Sequence, residues 1–408
     1  MSEERDIVVV GGGICGLATA LALHRKGIRS LVLEGSDTLR ATGAAIIMQP
    51  NGWRALDQLG VASKLRKTAN AIESGRFITI PDGKQEPIPL GGELRCLRRM
   101  DLINVLAEDL PSNAIRFGCR VVSVELDPTT SRPLLHLDDG GTIKAKMVIG
   151  CDGVRSVVAS MVGLNKTGLY SIDVTRGFTR CEDGHGLEKE FVVMSKDGLQ
   201  LGWLPVDDRL VYWFVTQKWT SPDLDSRVTL AKDPMLLKSS IVEAMNDFPT
   251  DAIQMVSDSD LSTVQWTELR YRPPWEILRR SFWKGAVVVA GDAMHSMAPF
   301  LAQGGAASLE DAVVLARCLA KKIKLATVGV HRGPRGRPLS FEKPAVEEAF
   351  EQFSKERRAR VFWLTMETFF VGSILGSSSG IIKLLAVLFM AILFSDKTGH
   401  TRYDCGRL

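Results

Sequence analysis

The chain has 408 residues, 45% of them apolar, enough for two domains or one large composite domain around a substantial buried core. A formal net charge of +4, with no lysine/arginine stripe interleaved with aromatics, argues against nucleic acid as a partner. Seven cysteines without a CxxC pair fit a reducing compartment better than a disulfide framework, and the six histidines show no metal-ligand spacing, so no metal site is expected.

Residues 6–10 read Asp-Ile-Val-Val-Val and run straight into Gly11-Gly-Gly-Ile-Cys-Gly16; apolar positions 17, 21 and 23 then predict a helix to about Lys26. A strand starting this early leaves no room for a charged, apolar and cleavable leader, and a cytoplasmic protein is expected. Gly27 ends the helix, and Ser30-Leu-Val-Leu-Glu34 predicts a second strand that ends in a carboxylate and closes a βαβ unit. Helices are predicted over 51–59 and 99–109, and strands over 115–126, 133–138 and 142–150. From about 170 to 282 aromatic residues fall on strand-like segments such as 209–216, and a mostly antiparallel sheet is expected there. Alternation puts Tyr212 and Phe214 on one face of that segment and Trp213 on the other. Residues 286–290 predict a returning strand, followed by Gly291-Asp292, a loop and a helix from Gly304 or Gly305. Residues 321–343, dominated by Gly, Pro, Arg and Lys, predict a surface connection, and a helix is expected over 344–368. The apolar stretch 369–394 is interrupted by Gly372, Gly376, Gly380 and Lys383, and its unbroken piece is shorter than the about 20 residues of a bilayer span. It is expected to cover a pocket or to make peripheral membrane contact as an amphipathic element.

Gly11, Gly13 and Gly16 satisfy the dinucleotide fingerprint: one glycine for the tight turn, one for backbone approach to a pyrophosphate, one for close helix-to-strand packing. The phosphates then meet free N–H groups at a helix N-terminus. Glu34, 21 residues beyond Gly13, is placed to accept hydrogen bonds from ribose hydroxyls and to repel a 2′-phosphate, which selects FAD or NAD over NADP. A tight turn that binds nothing is the alternative for the glycines alone.

Two more segments carry a resemblance. Residues 147–156 read Met-Val-Ile-Gly-Cys-Asp-Gly-Val-Arg-Ser, and residues 286–312 contain Gly291-Asp292, Pro299 and Gln303-Gly-Gly305. With the glycine fingerprint, in this order and spacing, they closely resemble the three signature motifs of the group A flavin monooxygenases, the family of para-hydroxybenzoate, salicylate and 3-hydroxybenzoate hydroxylases and of zeaxanthin epoxidase. The ending His400-Thr-Arg-Tyr-Asp-Cys-Gly406 is similar to plant members.

The resemblance covers most of the chain and implies an α/β protein: a Rossmann-type FAD-binding fold with an inserted, mostly antiparallel sheet and C-terminal helices. It divides the chain into an FAD-binding domain (1–75, 98–169 and 283–355), a substrate-binding domain (76–97 and 170–282) and a C-terminal helical segment (356–408). Gly11, Gly13, Gly16 and Glu34 would hold the ADP half of FAD, Arg99 the ribityl-phosphate side, and Val121 the adenine. Asp152 falls in a motif tied to the FAD pyrophosphate and to NAD(P)H use; Asp292 would bond the ribityl chain, and Pro299, Gly304 and Gly305 would flank the isoalloxazine. Taken singly, Asp152 reads as a turn aspartate and Asp292 as a helix N-cap.

The activity implied is hydroxylation or epoxidation of a small apolar or aromatic substrate with NAD(P)H and O₂, through a flavin C4a-hydroperoxide. NADH or NADPH would be a transient co-substrate, since no second GxGxxG provides a domain for it. Tyr212, Phe214 and Phe300 are candidate substrate contacts; Arg176 is a candidate catalytic residue near flavin and substrate, with a surface ion pair as the alternative. Ala302 stands where the family usually has glycine, and Phe300 where many plant relatives have aspartate. A reductase of the same fold and a flavin-holding ligand-binding protein are the competing functions, and monomer and homodimer both stay open.

Overall fold

In the computed structural model, which describes residues 3–39, 44–219, 228–328, 342–376 and 379–408, the first apolar run lies at the centre of a sheet. The strand Glu3–Val10 lies between Leu31–Leu33 and Thr142–Gly150, parallel to both, and Val287–Val289 adds another parallel strand beyond Thr142–Gly150. Ile7, Val8, Val9 and Val10 are buried, as befits a central parallel strand covered on both faces. Ile115–Arg116 extends the sheet, and the antiparallel strands Trp283–Lys284, Pro133–Leu137 and Val121–Leu126 complete eight. The first helix, Ile14–Arg25, buries nine of its twelve residues and packs on the helix Gly304–Val328.

Among the described residues the second sheet has seven strands. Gly168–Arg180 is flanked by Gln265–Tyr271 and Leu210–Lys218; Leu199–Asp207, Glu190–Lys196, Ser74–Thr79 and Lys84–Pro87 follow. Every neighbouring pair is antiparallel except Glu190–Lys196 with Ser74–Thr79. Alternation in Leu210–Lys218 is as expected: Trp213 is buried with residues of the helices Pro234–Ala244 and Thr250–Ser257, whereas Tyr212 and Phe214 face the other way. The chain is thus an α/β protein with a Rossmann-type fold and an inserted, mostly antiparallel sheet.

Several elements differ from the reading above. The strand expected over 115–126 is two strands, separated by Gly118 at φ +64 and by Cys119, whose N–H donates to the Glu34 carbonyl. The helix opened by Gly304 continues to Val328, because Lys321, Lys322 and Lys324 are good helix formers; positions 329–341 of the expected connection lie outside the described residues. The helix expected over 344–368 spans Lys343–Gly376, and a further helix, Gly380–Leu393, follows. Ala45–Met48, Asn70–Ala71 and Arg95–Arg98 form a small third sheet. Among the described residues no helix is long and apolar enough to cross a membrane.

Candidate active site

Val10 pairs with Gly150, and Gly150 with Val289, so three adjacent parallel strands end at one level. Each is followed by a motif loop: Gly11–Gly16, Cys151–Gly153 and Gly291–Asp292. The carboxyl ends of such strands are where open α/β sheets bind ligands. The loops are also in contact. A Cβ at Gly11, whose φ is +102, would lie 2.5 Å from the Cys151 carbonyl oxygen; one at Gly16 would lie 1.8 Å from the Gly11 carbonyl oxygen; one at Gly291 would lie 2.8 Å from Cys15 Sγ. Only glycine lets them close together, and Asp292 therefore stands beside the N-terminal glycine turn.

Other glycines face open space. Gly13 begins the Ile14–Arg25 helix, and a Cβ there would meet no atom within 4 Å. At Gly304 the nearest atoms to a Cβ would be Asp292 Oδ1 and Met297 Cγ at 4.0 Å; at Gly305, Ile14 and Ile46 side chains at 3.9 Å. Ile14 and Gly305 thus bring two helix N-termini to one space, each offering unpaired N–H groups and the positive end of a dipole. Pro299, in the preceding turn Pro299–Leu301, is exposed.

The charged side chains around this space fall into two kinds. Glu34 is tied to the glycine turn, accepting from Gly12 N–H at 2.7 Å and Ser36 N–H at 2.8 Å. Val121 opens its strand two residues after Cys119, which bonds the Glu34 carbonyl, and so lies at the same end. Asp152 accepts from Ser156 Oγ and from the N–H groups of Val157 (2.8 Å) and Val158 (3.2 Å), which fixes the start of the helix Val157–Val162. Burial pushes the Asp152 carboxyl up, with those bonds opposing. In this arrangement its side chain is engaged by its own loop and helix start.

Arg99 and Arg176 are the other kind. Arg99 opens the helix Arg99–Glu108, and Arg176, opposite Phe214, lies in the Gly168–Arg180 strand. The Nε of each is buried with no hydrogen-bond partner among the described residues. Burial lowers the Arg99 pKa; the Asp292 carboxylate opposes this and the Arg176 charge adds to it, so the three groups share one field. Two guanidiniums facing one exposed carboxylate are short of negative charge, the condition of an anion cradle.

Beyond them stands an aromatic wall. The Tyr170 ring lies 4.4 Å from Tyr271 and 5.7 Å from Phe300, and Phe214 belongs to the same cluster. Tyr212 continues the wall, 6.3 Å from Phe214 and 5.5 Å from Phe178. Burial pushes the Tyr212 phenol up to about 12, with Arg176 opposing, so it remains a neutral donor at physiological pH. A Cβ on Gly372 would lie 2.3 Å from the Tyr170 ring, and Phe369 lies 5.4 Å from Tyr271, so the end of the Lys343–Gly376 helix covers the wall.

One constellation escaped the sequence reading. Arg357 is fully buried, 2.8 Å from Glu310 Oε2 and 2.6 Å from Asp311 Oδ1; Arg360 lies 3.0 Å from Glu310 Oε1. Asp311 also accepts from Gly291 N–H at 2.8 Å and pairs with His295 Nε2 at 2.7 Å. Asn51 Nδ2 donates to Glu310 and to Gln303, and Gln49 and Arg360 also bond Gln303. These bonds clamp the Asp292 and Gly304 loops to three helices. The clue was two adjacent carboxylates in the otherwise uncharged stretch 304–316, which must find partners once buried.

Residues 4–331 match the FAD binding domain family. The chain is 42% identical to Monooxygenase 1 and 37% identical to Monooxygenase 2 of Arabidopsis thaliana, with 100% of both chains covered in each case. The solved structure of HpxO from Klebsiella pneumoniae with FAD and uric acid has the same fold: TM-score 0.76, covering 98% of this chain and 96% of that one at 19% identity. The family match contains all three glycine- and aspartate-bearing loops, and with full-length likeness to plant monooxygenases the chain belongs to the FAD-dependent monooxygenases.

Proposed function

We propose that the protein uses NAD(P)H and O₂ to insert one oxygen atom into a small, largely apolar, electron-rich substrate held against the Tyr170–Tyr271–Phe300 wall. The observation that carries this reading is the adjacency of that wall, through Phe214 and Arg176, to the partnerless guanidiniums and the Gly304 helix N-terminus. The uric acid held by HpxO supports a small ring-shaped substrate.

The residues fit FAD. In this reading the open face of Gly13 and the N–H groups at Ile14 take the pyrophosphate, and Glu34 the ribose. Arg99 takes a phosphate oxygen, Asp292 the ribityl hydroxyls, and the Gly304–Gly305 N–H groups the electron-rich edge of the ring. When bound, FAD would supply the redox chemistry that oxygen insertion with NAD(P)H and O₂ requires. The balance is NAD(P)H, H⁺, O₂ and substrate giving NAD(P)⁺, water and oxygenated substrate.

The protein's own residues have three tasks here. Arg176 holds negative charge at the boundary between cofactor and substrate. The aromatic wall orients the substrate by its π-faces and excludes water from the reacting centre. Phe369 and Gly372 close the wall from outside. The test is NAD(P)H oxidation by the holoenzyme across phenolic, indolic and terpenoid compounds under ¹⁸O₂. Stimulated oxidation with ¹⁸O in the product is expected; reduced substrate without label would replace this reading with a reductase.

A further inference from the structure

The helix Gly380–Leu393 carries one charge, Lys383, in fourteen residues. A helix of that composition normally sits in a core or in lipid. Here Ile381 and Ile392 are 73% and 74% exposed, and Leu384, Leu385, Val387, Leu388, Phe389 and Leu393 are each about half exposed. At 3.6 residues per turn these eight side chains sweep an arc of about 240°, not the narrow stripe of the amphipathic element expected from sequence. Ala386 is buried, the Phe389 ring stacks on Phe370 at 5.5 Å, and Phe394, just beyond the helix, meets Trp363 at 6.0 Å.

We propose that this helix is a monotopic anchor embedded in one leaflet of an anionic lipid bilayer. Three observations select lipid over a second protein chain. The exposed arc is about twice the roughly 100° stripe that a helix presents to a protein neighbour. At 1.5 Å per residue the helix is about 21 Å long, too short for the about 30 Å hydrocarbon core yet ample for one leaflet. The Lys343–Gly376 helix that it packs on, and the Pro274–Arg279 helix packed on that one in turn, carry interfacial chemistry: Trp363 and Trp275 are 47% and 46% exposed, Leu278 is exposed beside Trp275, and Arg279, the following Arg280 and the anchor's own Lys383 are exposed with no side-chain partner among the described residues. Phe369 and Phe370, adjacent on one helix, join the aromatic wall to the anchor: the first ring meets Tyr271 and Trp275, the second meets Phe389.

Flotation of the full-length holoenzyme with phosphatidylcholine vesicles, alone or with about one fifth phosphatidylserine, tests this. The wild type is expected to float with both and more strongly with the anionic ones, the difference shrinking in high salt. The variant combining Ile381→Gln, Leu384→Gln, Leu388→Gln and Ile392→Gln is expected to bind at least about a hundredfold more weakly with FAD content unchanged. If that variant loses FAD, Ile392→Gln alone, at the most exposed of these positions, is expected to weaken binding about tenfold. Wild-type protein that stays at the bottom of the gradient would overturn the proposal, as would folded variants that float equally well. Wild-type dimers that these substitutions split, without vesicle binding, would assign the face to a second copy instead.

Discussion

Arg357 Nε lies 2.6 Å from Asp311 Oδ1, with both side chains fully buried. Because Asp311 also holds Gly291 N–H and His295, this contact links the Lys343–Gly376 helix to the loop that carries Asp292. Arg357→Met would leave Glu310 and Asp311 charged and under-compensated in the interior. The expected loss is about 3–5 kcal/mol of unfolding free energy, read from urea denaturation, with weaker FAD retention. An unchanged midpoint would show that the network contributes nothing net.

The same network sets a pH dependence. Burial pushes Glu310 and Asp311 up, but Arg357 and Arg360 for the first, and His295 and Arg357 for the second, hold both below the ordinary carboxylate range. Carboxyls lowered on folding contribute stability that is complete above their unfolded pKa values, about 4, and is lost as pH falls through the folded ones. Asp152, raised by burial, works in the opposite sense and offsets part of this. The urea midpoint is expected to be nearly level from pH 7 to about 5 and to fall below about 4, with a shallower fall in Asp311→Asn. A midpoint that rises on acidification below 4 would contradict the assignment.

Ala302 has φ +51 and ψ +31, the left-handed region, directly before Gln303. An L-residue there costs about 1–2 kcal/mol, partly offset by the lower unfolded-state entropy of alanine. Ala302→Gly is therefore expected to be neutral or stabilising by up to about 1 kcal/mol, whereas the control Ala312→Gly, in the following helix, should cost about 1 kcal/mol. Equal destabilisation by the two would mean that Ala302 is unstrained. Alanine in place of the glycine usual in the family thus carries a backbone cost visible only once the dihedral is known.

Two glycines of the fingerprint separate a structural from a ligand-binding role. Gly16→Ala forces a methyl into the Gly11 carbonyl and is expected to abolish folding of the turn and FAD binding together. Gly13→Ala meets no protein atom, and Gly13 has φ −81, so the apoprotein should keep its thermal midpoint while FAD affinity falls at least about tenfold. Unaltered FAD affinity in Gly13→Ala would remove that glycine from the cofactor site.

The Rossmann-type half was legible because its cues are local: a β-branched run, a glycine turn, a helix, a strand ending in Glu34. The register of Val10, Gly150 and Val289, which aligns the three loops, is a property of the sheet and could be inferred only through the family resemblance. The bond from Ser156 to Asp152 is a different case, since the two residues are close in sequence but their hydrogen bonding is visible only after folding. Arg357 was illegible. In Lys355-Glu356-Arg357-Arg358 it reads as one of a solvated run, and nothing local says that its face packs onto Asp311. The short strands of the third sheet were missed for the same reason, because pairing with distant segments, not propensity, makes them.

A single FAD is predicted to lie along the three loops, from the Gly13 turn to the Gly304 helix. Fluorescence titration of the purified chain with FAD measures this directly. Saturation at one FAD per chain, with affinity reduced by Gly13→Ala and by Arg99→Met, is the predicted result; a colourless chain that takes up no added FAD would contradict it.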